Sequence, residues 1–160
     1  MTLSSGVVIN GVRYGAESYS ITIDGQPTNC VSELSYEDTM EGKFIYGTSE
    51  VPIGRTRGSY TCTATMGIWL AEADELHAIL ASKGEVGAIA EAVFDITVRV
   101  SELNAPQIFD ILRGCRLKNL KSAMPGTGGN DSSVVTYDLM PYFIRHNGRT
   151  LFRNNKVPVR

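Results

Sequence analysis

Ser59-Tyr-Thr-Cys-Thr-Ala-Thr-Met-Gly-Ile-Trp-Leu70 alternates strictly. Tyr60, Cys62, Ala64, Met66, Ile68 and Leu70 fall on one side, and Ser59, Thr61, Thr63 and Thr65 on the other. A period of two marks a strand with one buried and one wet face. Phe94-Asp-Ile-Thr-Val-Arg-Val100 repeats the pattern, with Asp95, Thr97 and Arg99 on the polar side. Between them, Ala71 to Lys83 reads as a helix: acids gather near its start, Lys83 ends it, and Gly84 stands just beyond as a left-handed cap would. Leu76, Ile79 and Leu80 form a stripe that must pack on something. Strand, helix and strand predict a mainly β protein with one covering helix.

The flanks add strands. Val7 to Tyr14 reads as a hairpin around Asn10-Gly11, and Tyr19, Ile21 and Ile23 alternate up to an Asp24-Gly25 turn. Val31 to Tyr36 is a shorter strand of mixed pattern. Ile108 to Leu120 resumes apolar content after Pro106, and Met124 to Ser133 is a Gly-rich loop. Val134 to Ile144 is a strand interrupted at Pro141, which belongs on an edge or at a bulge. Asn147-Gly148 turns the chain again. The expected architecture is two packed antiparallel sheets, a sandwich or partly open barrel, with one flanking helix. One domain spans 1–160, with a polar, basic tail at 153–160.

With 160 residues and 42% hydrophobic content, the chain can bury a real core. Its net charge of −2 gives no general case for wrapping nucleic acid. The charge is uneven, however: 13 acids and 6 bases precede Glu102, and 4 acids and 9 bases follow from there on. Such polarity suits head-to-tail self-association. Cys30, Cys62 and Cys115 are odd in number and far apart, and read as buried thiols of a reducing compartment. Met1 to Gly6 lacks the pattern of a secretory signal, and no window approaches the ~20 apolar residues of a membrane span.

The search for chemistry returns little. His77 reads as a helix-surface partner of Asp74, and His146 sits beside a turn without metal-ligand spacing. Gly126-Thr-Gly-Gly129 lacks the Lys-Ser/Thr of a phosphate loop. No Gly-x-Ser-x-Gly elbow appears, and the acids Glu37, Asp38 and Glu41 lack calcium-loop spacing. The expectation is no enzyme and no cofactor. The stretch from Glu37 to Gly54 is more informative, because Phe44, Ile45, Tyr46, Val51 and Ile53 are hard to hide in a surface loop. It reads as an arm that buries itself against a partner. Glu37, Asp38, Glu41, Lys43, the five apolar residues, Arg55 and Arg57 are the candidate contacts. The two arginines are forked donors suited to carboxylates on another subunit.

Ile9-Asn-Gly-Val-Arg-Tyr14, Ile21-Thr-Ile-Asp-Gly25, Gly42-Lys43 and Pro52-Ile-Gly-Arg-Thr-Arg-Gly58 occur in this order. They are followed by Arg113-Gly-Cys-Arg-Leu117, Leu139-Met-Pro141 and Ile144-Arg-His-Asn-Gly148. In that succession the chain, from Ile9 to Phe152, resembles phage tail tube proteins. Bacteriocin and type VI secretion tubes share the plan. The resemblance implies hexameric rings stacked into a tube, each ring joining its subunits' inner sheets into one barrel. DNA would pass through without specific binding, alongside a tape-measure protein. A sheath and baseplate or terminator proteins would be further partners, with no membrane involved. The particle would be a virion tail, contractile in form and assembled in the host cytoplasm. Within that frame Thr61, Thr63, Thr65, Asp95, Thr97 and Arg99 become lumen candidates, since a conduit should avoid a sticky basic lining. Arg113, Arg116 and Lys118 become ring or sheath contacts. The alternatives are a bacteriocin or secretion tube subunit and, in another class, a monomeric β-barrel ligand-binding module.

Overall fold

A computed structural model describes residues 19–56, 58–84, 87–101, 106–123 and 133–151. The Val7–Tyr14 hairpin, Arg57, the loop from Met124 to Ser132 and the tail at 153–160 lie outside the described residues. The strands are β1 (Tyr19–Ile23), β2 (Gln26–Thr28), β3 (Val31–Met40), β4 (Phe44–Tyr46), β5 (Pro52–Arg55) and β6 (Tyr60–Trp69). Helix α1 (Leu70–Lys83) follows, then β7 (Phe94–Val100), β8 (Ile108–Ala123), β9 (Val134–Met140), β10 (Phe143–His146) and β11 (Arg149–Thr150).

All pairings are antiparallel and build two sheets that share β8. The N-terminal half of β8 lies between β7 and β10, in a first sheet ordered β2-β1-β7-β8-β10-β11. Its C-terminal half pairs with β9, in a second sheet ordered β8-β9-β6-β3. β4 and β5 form a separate two-stranded ribbon.

One strand serves two sheets because it turns at Gly114. Pairing with β7 ends at Cys115, and pairing with β9 begins at Arg116. Gly114 takes φ +61°, a left-handed conformation that an L side chain adopts only at a cost. Asp95 on β7 holds the kink: one carboxylate oxygen accepts the Gly114 N–H at 2.9 Å, and the other accepts from Arg113 at 2.9 Å. Tyr142 N–H adds a bond of 2.7 Å to the Arg113 carbonyl.

The alternation holds through the middle of β6 and along β7, but Leu70, expected on the buried side, opens the helix and is 48% exposed, and Tyr60 and Cys62 are half-buried. Ala64, Met66 and Ile68 meet Phe94, Ile96 and Val98 in one core between the sheets, while Thr61, Thr63 and Arg99 stay exposed. Helix α1 covers the end of this core with Ala73, Leu76 and Leu80; Ile79, expected in the same stripe, is 39% exposed. His77 bonds the Tyr137 hydroxyl on β9 at 2.7 Å, so its partner lies in the sheet and not on the helix. Lys83 pairs with Asp24 in the turn between β1 and β2. Gly84 closes the helix with its N–H on the Leu80 carbonyl but in extended backbone (φ −73°), so the left-handed cap is replaced. Asp24-Gly25 and Asn147-Gly148 both have two consecutive positive φ values, as a type I′ hairpin requires. Pro141 falls between β9 and β10, where it interrupts no ladder.

Gly114→Ala is expected to cost about 1–2 kcal/mol, from left-handed strain at the kink. Urea unfolding measures it, and a variant as stable as the parent would show that the kink does not depend on this glycine.

Candidate assembly surfaces

Three features outside the core carry the functional interest: the arm, the second sheet with its edges, and a polar cluster between the sheets.

The arm is a hairpin. β3 runs on to Met40, four residues beyond the expected strand, because Glu37 to Met40 pair with Tyr60 to Thr63 of β6. The chain then leaves the sandwich. Phe44 pairs with Arg55, Ile45 with Gly54 and Tyr46 with Pro52, and every residue from Glu41 to Thr56 is exposed. Phe44 is 58% exposed, Val51 68% and Ile53 73%. Apolar side chains this open on a narrow ribbon belong to no core and make the ribbon a candidate contact surface. At the root, Glu41 N–H bonds the Ser59 carbonyl at 3.1 Å and Thr56 N–H bonds that of Lys43 at 2.8 Å. Gly58 is required there, since a Cβ would fall on the Glu41 carbonyl.

The second sheet turns Glu33, Ser35, Glu37, Thr61, Thr63, Thr65, Asp138 and Asn119 outward. Thr65 and Asn119 both bond Asp138. Along its edges, β3 contributes Glu33 and Glu37, whereas the C-terminal half of β8 contributes Arg116, Lys118 and Lys121, all exposed. Among the described residues, β3 pairs only with β6, and β8 beyond Cys115 pairs only with β9. Within the described residues both edges therefore lack a second ladder partner.

The six lumen candidates divide. Thr61, Thr63 and Thr65 lie on the outer face of the second sheet; Asp95, Thr97 and Arg99 lie on the outer face of the first. Both sheets bury their other faces in one core, so the two sets point apart and do not form a single wall. Asp95 is moreover occupied by Gly114 and Arg113, and Arg113 is thereby paired within its own subunit.

Asp38, expected as a surface contact, faces inward with its side chain only 8% exposed. Its carboxylate accepts from the Tyr60 hydroxyl at 3.0 Å and lies 2.8 Å from His146 Nε2. Opposite, on β8, Asp110 accepts from Tyr36 at 2.5 Å and from Asn147 N–H at 3.0 Å, and lies 3.9 Å from His146 Nδ1. Tyr60 in turn accepts the Ile144 N–H at 3.0 Å. The cluster joins β3 and β6 to β8 and β10 where no ladder connects them. Nothing in the sequence pairs these residues, because Asp38 and His146 are 108 positions apart. Among the described residues no His, Cys, Asp and Glu group is arranged to hold a metal ion.

Neither a family model nor a curated protein matches the chain by sequence. Solved structures do match its fold. A chain of the anti-feeding prophage tube-terminating cap aligns with TM-score 0.68 at 10% identity, covering 94% of this chain and 99% of that one. One from the sheath/tube terminator of the extracellular contractile injection system PVC aligns with TM-score 0.63 at 11% identity, covering 86% and 99%. Hcp1 from Flavobacterium johnsoniae aligns with TM-score 0.52 at 15% identity, covering 84% and 98%. The fold is tail-tube-like. None of these neighbours is described by an enzymatic activity.

Burial, above all, raises several acidic groups. It lifts the Tyr36 and Tyr60 hydroxyls well above their ordinary 10.0, helped at Tyr36 by its bond to Asp110 and opposed at Tyr60 by the Ile144 N–H. Tyr137 is pushed up to about 12, and Cys115 from 9.0 to about 12. Each group stays neutral in the fold at a pH where the unfolded chain would ionise it. Their contribution is therefore whole below pH 9 and is lost as pH rises toward 12. Urea midpoints at pH 8, 10 and 11 should fall in that order; a midpoint constant to pH 11 would contradict the burial of these groups.

Proposed function

We propose that the chain is a structural subunit of a phage-type tail tube, in which copies join edge to edge through the second sheet. The observation that carries this reading is the pair of open, oppositely charged edges on that sheet. Its four strands alternate in direction, so a neighbour's β8 placed beside β3 runs antiparallel to it. The ladder then continues around a ring without a change of sense, a heterologous contact that closes when the rotation permits. Acidic β3 would meet basic β8 at each seam. The outer face of the second sheet would line the lumen with Thr61, Thr63 and Thr65. Hydroxyls flanked by charges of both signs give a wet wall without a basic track to hold phosphate.

In this reading six copies form a ring, and the exposed arm reaches the next ring, where its apolar residues lose contact with water. Such a tube suits genome ejection from a tail inside a contractile sheath, with tape-measure, baseplate and terminator proteins as partners. The function is mechanical. A second reading, a cap that ends the tube as one ring, is favoured by the similarity to chains of tube-terminating assemblies.

Replacing Glu33 and Glu37 by Lys should abolish ring formation at low salt, and adding Lys118→Glu with Lys121→Glu should restore it. Sedimentation velocity reads both. Rings from the first variant as abundant as from the parent would refute the seam. Removal of Glu41 to Val51 should leave rings but no tubes.

A further inference from the structure

Among the described residues, the arm joins the sandwich through its two roots, Glu41 to Lys43 on one side and Thr56, Gly58 and Ser59 on the other. Beneath those roots, β3 and β6 end at the pair Met40–Tyr60. Asp38 lies two positions before Met40, and its carboxylate also holds the Tyr60 hydroxyl. Both strands that launch the arm therefore pass through one carboxylate. Among the described residues, that carboxylate is tied to the first sheet by one side chain, His146 on β10, whose other ring nitrogen faces Asp110 on β8. The ring also stacks on Tyr36 of β3, with centroids 6.4 Å apart.

β3 is laddered to β6 but has no ladder to the first sheet, so among the described residues side chains make the links between the arm's base and that sheet. Two of those links, Tyr36 to Asp110 and Tyr60 to the Ile144 amide, fix the sheets lower down or through the other strand. The link nearest the end of β3 is His146 to Asp38. Loss of a hydrogen bond to a buried charged group is felt strongly, because its partner must then find water or another donor.

We propose that His146 is the positioning residue for the arm: by bonding Asp38 from β10 it fixes the direction in which the Glu41–Ser59 hairpin leaves the subunit. The inference rests on the arm being the contact between rings. A ribbon that swings would place Phe44, Val51 and Ile53 in register with a neighbouring ring only part of the time. The entropy of ordering it would then oppose each stacking step.

The test is made on the full chain, with nitroxide-bearing amino acids at Thr48, near the arm's tip, and Ser20, on the first sheet. Both positions are exposed. Pulsed EPR gives the distance distribution between them in unassembled subunits. A narrow distribution is expected for the parent. His146→Phe keeps an aromatic ring beside Tyr36 but removes both nitrogens, and should broaden the distribution by about two-fold while the core stays folded. His146→Gln returns an N–H toward Asp38 and should restore the narrow distribution, a rescue that loss of packing alone would not show. A narrow distribution in H146F, or a broad one in H146Q, overturns the proposal. Should H146F fail to fold, Asp38→Leu carries the same comparison, broad if the bridge positions the arm and narrow if it does not. The distances need no assembly, so a parent that forms no rings defeats the tube reading while the role of His146 is still decided.

Discussion

Two carboxylates facing each other across the gap between the sheets, each held by one partner from its own side and one from the opposite side, tie the two sheets together. Burying an ionised carboxylate is costly unless hydrogen bonds replace its water. Here Asp38 has Tyr60 and His146, and Asp110 has Tyr36 and the Asn147 amide. Bonds to charged groups contribute about 1.5–3 kcal/mol each when well formed. They work where backbone pairing stops, between the β3 edge of one sheet and the β8–β10 pair of the other. The apolar core holds the sheets face to face, and the cluster keeps that side from opening.

Two other devices depend on this closure. β8 carries the chain from one sheet to the other through the Gly114 kink, braced by Asp95, and so commits its C-terminal half to the second sheet with a basic, open edge. β3 supplies the opposite, acidic edge and runs on into the arm. An edge left open is ordinarily a hazard of uncontrolled pairing. In the proposed ring, opposite charge on the two edges of one sheet would turn that hazard into a directional joint, because like edges repel and unlike edges attract. The arm would add a second joint, apolar where the first is polar.

Much of this was legible in the residues. The alternation of Tyr60 to Ile68 and of Phe94 to Val100 gave both sheets their inward faces, and two Asx-Gly turns gave the hairpins. The helix was correct in extent, though its cap was not. Long-range side-chain chemistry stayed hidden. Periodicity places Asp95 on a wet face, which is right, but says nothing of the Gly114 amide that occupies it. It leaves Glu37 to Met40 ambiguous, since a polar run joins a strand only when a partner such as β6 is beside it. The two strands within the arm were not legible, because three consecutive apolar residues, Phe44 to Tyr46, match no amphipathic period, and a ribbon wet on both faces has no need of one. His146 looked like a turn neighbour because its partners come from β3 and β8, far away in sequence.

Self-assembly is the central property proposed for this chain. Electron microscopy of the purified chain in negative stain, with sedimentation on the same sample, tests it most directly. Six-fold rings or hollow tubes are the predicted result, single rings alone pointing to the cap and stacked rings to the tube. One species near 17.4 kDa at high concentration and across a range of salt would contradict it.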